Sequence, residues 1–211
     1  MRTLSAFLLG TVLVSIATSQ TLDNCPAGLP RDRFLQVHGD FCFQFVLNRL
    51  RTHTLAKADC ESHGGTLALV KTPDIQAYLY KELVITYNLH LSKIWIGLND
   101  IDNENIYKWE DGTPLNFTAW DSGEGPNSGS FYHATHHNEN DCVVIDLEYD
   151  SKWAEFPCDE SSSFLFFTDR EEHYYICQYK FSASVATSTT QSSQTTAAPE
   201  TAPPAATTAA A

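Results

Sequence analysis

Hydrophobic and polar positions divide the chain into segments of different texture. The first is a mostly apolar stretch from Leu4 to Ile16, preceded by Arg2 and closed by Ala17, Thr18 and Ser19. A basic start, a short apolar segment and a small-residue end are the grammar of an export signal, and residues 1–19 are read as one. A membrane anchor needs about 20 apolar residues, and this stretch stops short of that. Farther on the periodicity turns helical. Thr54 offers a cap for a helix through Ala56, Ala58 and Cys60 to His63, with Gly64 and Gly65 as a left-handed stop. Thr72 caps a second helix, where Pro73 suits the first turn, Asp74 complements the dipole, and Ile75, Leu79 and Leu83 recur on one face. After Lys93 the pattern changes to short strands, expected at 94–98, 106–109, 142–147, 152–156 and 174–179. Helices first and strands later give an α+β class.

Composition adds the two ends and the environment. From Ser182 onward the chain is almost wholly Ser, Thr, Ala and Pro, with Glu200 as its only charge. Such a segment lacks the apolar volume to offset ordering entropy, so it is expected to stay extended, as an O-glycosylated stalk or a plain tail. The organisation is therefore a leader at 1–19, a folded domain at 20–181 and a tail at 182–211. No later segment reads as a membrane span. The net charge of −13 becomes one unit more negative when Arg2 leaves with the leader. A chain this acidic is repelled by phosphate backbones, which argues against nucleic acid as a partner.

The six cysteines, at 25, 42, 60, 142, 158 and 177, read as three disulfides in an exported chain, although spacing alone leaves 15 pairings open. There is no C-x-x-C pair, which weakens a zinc reading. Asn116-Phe117-Thr118 is an N-glycosylation acceptor and places Asn116 on an exposed loop.

At this point the residues resemble a known family. Cys60, Gly64-Gly65 and Leu67, then Trp95-Ile96-Gly97-Leu98-Asn99-Asp100, Trp109-Glu110-Asp111-Gly112, Trp120, Asp141-Cys142-Val143, Trp153, Cys158 and Tyr175-Ile176-Cys177 follow the order and approximate spacing of the C-type lectin-like domain in its long, six-cysteine form. The resemblance covers Cys25 to Lys180. It implies two helices with short, mostly antiparallel strands, a long ligand-facing loop, and the pairings Cys25 with Cys42, Cys60 with Cys177 and Cys142 with Cys158. It also implies that Trp95, Trp109 and Trp153 are core residues and not sugar-stacking platforms, in keeping with the apolar Ile94, Ile96 and Leu98 around them.

In this family a calcium ion gathers six to eight oxygens and holds two adjacent sugar hydroxyls. The resemblance assigns its ligands to Glu124, Asn127, Asn140 and Glu155, which would also contact the sugar. Each half of the motif departs from the family pattern. The family's Glu-Pro-Asn stands here as Glu124-Gly125-Pro126-Asn127, so either Gly125 is inserted or it takes the glutamate's place. The family's Trp-Asn-Asp stands as Trp153-Ala154-Glu155, and Asn140 falls where a glutamate is usual. An auxiliary calcium site is implied at Asp100, Glu104 and Asp141, with Ser128 in place of a further acid, and it would order the long loop and could hold a cis peptide before Pro126. Ser128 to Glu139 lengthens the ligand-facing loop and fills it with Phe131, Tyr132, His133, His136 and His137. We read it as a solvated or partner-contacting loop in preference to a zinc site, because an exposed loop positions ligands poorly. The excess length at 161–172 is expected to form an extra hairpin or a flexible excursion.

The leading function is a secreted carbohydrate-binding lectin, calcium-dependent if the altered site holds the ion, with a part in recognising microbial or self glycans. The alternatives are a protein-binding module acting through residues 131–137, and an acidic matrix- or mineral-associated protein. Catalysis is the poorest reading, since the chain has neither a G-x-S-x-G elbow nor a Gly-rich phosphate loop.

Overall fold

The computed structural model describes residues 21–126, 139–162 and 168–182. The leader, Asn127, most of the long loop and the tail beyond residue 182 lie outside these residues. After a short 3-10 turn at Leu22–Asn24, two strands precede both α-helices, which corrects the expected order of helices before strands. β1 (Leu35–His38) and β2 (Phe41–Arg51) form an antiparallel hairpin pairing Leu35 with Gln44 and His38 with Phe41. Phe43 and Phe45 on β2 enter one core cluster, whereas Cys42 and Val46 enter another. A strand sandwiched in this way needs apolar residues on both faces, so its sequence reads as a continuous run and not as an alternation.

α1 (His53–Ser62) starts one residue before the expected cap. Thr52 is the cap, its hydroxyl accepting the Leu55 N–H at 3.4 Å, while the Thr54 hydroxyl donates to Asp159 at 2.7 Å. Tertiary contacts set this choice, because the His53 N–H donates to the Cys158 carbonyl at 2.8 Å. Ala56 and Cys60 face inward, and the helix stops at Gly64, whose φ of +77° is open to glycine without strain. β3 (Thr66–Leu67) follows. α2 (Pro73–Tyr80) begins as its sequence predicts, with the Thr72 hydroxyl accepting the Ile75 N–H at 3.3 Å, and runs on into a wider turn at Lys81–Thr86. Leu79 and Leu83 are fully buried, each contributing about 1.5–3 kcal/mol.

The remaining strands are β4 (Lys93–Asn99), β5 (Lys108–Trp109, shorter than the expected 106–109), β6 (Cys142–Asp146), β7 (Lys152–Phe156) and β10 (His173–Lys180). They join the hairpin in a sheet of order β1-β2-β10-β4-β6-β7, with β3 on β10 and β5 on β4. The pairing is antiparallel except between β10 and β4. β8 (Glu160–Ser162) and β9 (Thr168–Arg170) pair antiparallel in a separate two-stranded sheet, as the expected extra hairpin would, while residues 163–167 between them lie outside the described residues. Trp95, Trp109 and Trp153 are all buried, at 0, 1 and 0% exposure, as expected of core residues.

The three disulfides join Cys25 with Cys42, Cys60 with Cys177 and Cys142 with Cys158. The second ties α1 to β10 across 117 residues of sequence. Closing so long a loop removes about 5 kcal/mol of unfolded-chain entropy in the loop-closure picture. The third bridges the start of β6 to the residue that meets His53, so it also fixes where α1 begins. No helix among the described residues is long and apolar enough to cross a membrane.

Candidate functional site

Those implied calcium ligands that fall among the described residues lie where β4, β6 and β7 end against the loop at 119–126. That loop runs beside β7. The Trp153 N–H donates to the Ala119 carbonyl and the Asp121 N–H to the Trp153 carbonyl, both at 2.9 Å. The chain then reverses, the Glu124 N–H donating to the Asp121 carbonyl at 3.2 Å, and brings the Glu124 carboxylate against β7, where it accepts the Glu155 N–H at 3.2 Å.

Glu155 answers from β7. One of its carboxylate oxygens accepts the Gly125 N–H at 3.1 Å and the Tyr107 hydroxyl. Glu155 is only 4% exposed. Gly125 has φ of +83°, and a Cβ on it would sit 2.6 Å from the Trp120 ring, so no other residue fits there. Tyr107 is buried and packs edge-on against Trp120 at 4.9 Å between ring centres. Tyr107, Trp120, Gly125 and Glu155 thus clamp the loop to the sheet. Every peptide bond among the described residues is trans, so the cis bond considered before Pro126 is absent.

The Glu124 carboxylate is half-buried and feels the charges of neighbouring acids. The Glu124 carboxyl is pushed up from its ordinary value, by burial first and then by the charges of Glu155, Asp121 and Asp146, against the opposing pull of the Glu155 N–H. The Tyr107 hydroxyl is pushed far up by burial and by its bond to Glu155.

The other expected ligands are placed as follows. Asn140 is buried just before β6, whose Cys142 pairs with Phe156 beside Glu155. Ala154 is buried. Asp100 is buried at the end of β4, its carboxylate accepting the Asn105 N–H at 2.8 Å and its own N–H donating to the Asp141 carbonyl at 3.1 Å. Asp141 is half-buried next to it, while Glu104 lies exposed on the turn between Asp100 and Asn105. Asn127 and residues 128–138, with Phe131, Tyr132 and the three histidines, lie outside the described residues. Asn116 is exposed, as its glycosylation motif predicts. Sequence reasoning missed Tyr107. Its one available signal was a tyrosine in a buried strand pattern, whose hydroxyl must find a partner.

Residues 50–165, more than half of the chain, match the Lectin C-type domain family. The chain belongs to the C-type lectin domain family. C-type mannose receptor 2 of Mus musculus is 31% identical over 119 residues, which cover 56% of this chain and 7% of the receptor. The chain therefore spans less than a tenth of that relative's length. Among solved structures, the mouse scavenger receptor C-type lectin carbohydrate-recognition domain superposes with a TM-score of 0.56 at 24% identity, covering 74% of this chain and all of that one. A calcium-independent type II antifreeze protein superposes with a TM-score of 0.54 at 23% identity, covering 71% of this chain and 94% of that one. Both likenesses are of fold. Membership of the C-type lectin domain family places the chain among domains that bind glycans or proteins and not among enzymes.

Proposed function

We propose that the protein is a secreted, glycan-binding C-type lectin whose sugar site is calcium-dependent and built on Glu124, Asn127, Asn140 and Glu155. The observation that carries this reading is the convergence of Glu124 and Glu155, two acids 31 residues apart in sequence that meet through the Glu155 N–H. Burial and the charge of Glu155 raise the cost of keeping Glu124 ionised, and a hard cation relieves that cost. The donor set, carboxylates with amide oxygens, fits calcium chemistry. The ion, when bound, offers open positions to two adjacent sugar hydroxyls. The chain's own part is to hold the carboxylates in place, which Tyr107 and Gly125 do for Glu155. Asp100, Glu104 and Asp141 are assigned to an auxiliary ion that orders the loop. The leader and the three disulfides support secretion, and Asn116 is assigned as a glycan acceptor.

The test is retention on mannose resin. Retention in calcium, release by chelator and loss in Glu124→Gln are the expected results. Retention indifferent to chelator overturns the reading. A second reading, a calcium-independent module that binds protein, is favoured by the engagement of a Glu155 oxygen with Tyr107 and Gly125. For it, chelator leaves partner binding intact while deletion of residues 131–137 abolishes it.

A further inference from the structure

A second cluster of buried polar groups lies beneath the start of α1. His53 and Glu110 have side chains 2 and 1% exposed, and His53 Nε2 stands 3.9 Å from Glu110 Oε1. Neither atom has a hydrogen-bond partner among the described residues. Their other ends are fixed. Glu110 Oε2 accepts the Leu67 N–H at 3.0 Å, and the His53 ring bonds to the backbone of Ile96. A ring that donates to a carbonyl through Nδ1 carries its proton there, which leaves a lone pair on Nε2. The imidazole is held neutral, its pKa lowered to about 4 chiefly by burial.

Both residues line a cleft of about 440 Å³ that also includes Thr54, Lys57, Asp102 and Lys108. That volume falls in the range of small-molecule sites, about 300–1,000 Å³. Lys57 covers the pair, its Nζ 4.0 Å from Glu110 Oε1. It has a second carboxylate, Glu61, at 3.9 Å on the next turn, so it can move off the pair without losing a partner.

We propose that this cleft is a second, calcium-independent binding site for a polyhydroxyl ligand, a sugar or polyol with one hydroxyl donating to His53 Nε2 and an adjacent one to Glu110 Oε1. Two neighbouring acceptors ask for two neighbouring donors, and a vicinal diol supplies them without adding charge. A cation is disfavoured by Lys57 and, among the described residues, by the want of a third acid or imidazole close to the pair. The sulfurs nearest His53, those of Cys142 and Cys158, are bridged to each other and offer no thiolate. An anion meets Glu110. Lys57 and Lys108 balance Asp102 and Glu110, which suits a neutral guest. The site shares no residue with the calcium rim, so it stands or falls apart from the function proposed above.

The experiment follows the His53 imidazole carbon-bound proton by NMR in the full secreted chain, with chelator present, during titration with methyl α-mannoside and with sorbitol. A saturable shift with at least one of them is expected, weakened about tenfold or more in Glu110→Gln and unchanged in Glu124→Gln. Glu110→Gln keeps an amide oxygen for the Leu67 N–H, so it serves even if His53→Phe does not fold. No saturable shift with either probe, or equal binding by Glu110→Gln, overturns the proposal. The part of mannose-resin retention that chelator removes is expected to survive Glu110→Gln and to vanish in Glu124→Gln, whereas the chelator-resistant shift of His53 follows the reverse pattern, so the failure of one site is not mistaken for failure of the other.

Discussion

Glu110 and Glu155 are both buried acids, yet they keep opposite company. Glu110 sits under α1 with a neutral imidazole and an ammonium facing it, and one oxygen tied to the Leu67 N–H. Burial still wins over Lys57 and pushes the Glu110 carboxyl up from its ordinary value. Glu155 lies on the rim with a second acid, Glu124, against its own N–H, and a hydroxyl and an amide on its carboxylate. The first arrangement is nearly neutral and suits a neutral hydrogen-bonding guest. The second accumulates like charge and suits a cation. One residue type therefore serves two chemistries, and the neighbours decide which.

The sharpest way to break this comparison is to remove the rim acid. Glu155→Ala orphans the Tyr107 hydroxyl and the Gly125 N–H, and at about 1–3 kcal/mol per unsatisfied buried group it should lower stability by about 2–6 kcal/mol. Glu155→Gln keeps an acceptor oxygen and should cost far less stability, while weakening calcium binding by about tenfold or more. Urea unfolding and calcium calorimetry on the pair separate the roles. Equal urea midpoints for the two variants would mean that the clamp through Tyr107 does not hold the loop.

The corresponding change under α1 is smaller. Glu110→Ala leaves the Leu67 N–H without its carboxylate, an expected loss of about 1–3 kcal/mol in urea unfolding. Calcium affinity should not move, and a change in it would show that the two acid sites are coupled.

Acid titration sharpens the contrast further. The folded pKa of His53, about 4, is below its unfolded value of 6.5, so the unfolded chain takes up the proton first. Its contribution to stability is therefore lost as pH falls from about 6.5 toward 4. Glu110 and Glu124 have raised folded values, so their contributions run the other way, growing as pH falls through those values. His53→Phe removes only the first effect. Between pH 6.5 and 4.5 the variant's urea midpoint should fall less than the wild type's, or rise. A slope identical to that of wild type would mean that the His53 imidazole is not held neutral.

How much of this was legible in the sequence depended on how local the cause was. α2 was readable because Thr72, Pro73 and Asp74 act within one turn, and the disulfide pairing followed from the resemblance. β2 was not, because Phe41 to Leu47 serves two core clusters and so lacks the alternation that marks a half-buried strand. The rim acids were legible through the family motif, but their clamp was not. Tyr107 reaches Glu155 across 48 residues, and the need for glycine at 125 comes from the face of Trp120. The cleft was invisible for the same reason, since Glu110 lies 57 residues from His53 and nothing in either neighbourhood points to the other.

The smallest expected effect concerns the start of α1, which carries both His53 and Lys57. Thr52 and Thr54 are equally good caps by residue type, and only the bonds of His53 to Cys158 and of Thr54 to Asp159 select the first. Thr52→Ala should therefore cost about 1 kcal/mol, the usual value of a cap hydroxyl, whereas Thr54→Ala should cost less because its bond to Asp159 is exposed. The Thr52 change frays the turn that holds His53, so it should also broaden the His53 resonance while leaving calcium binding on the rim unaltered. If Thr54→Ala proved the more damaging of the two, the helix would begin where its sequence suggests, and the geometry that places His53 opposite Glu110 would have to be redrawn.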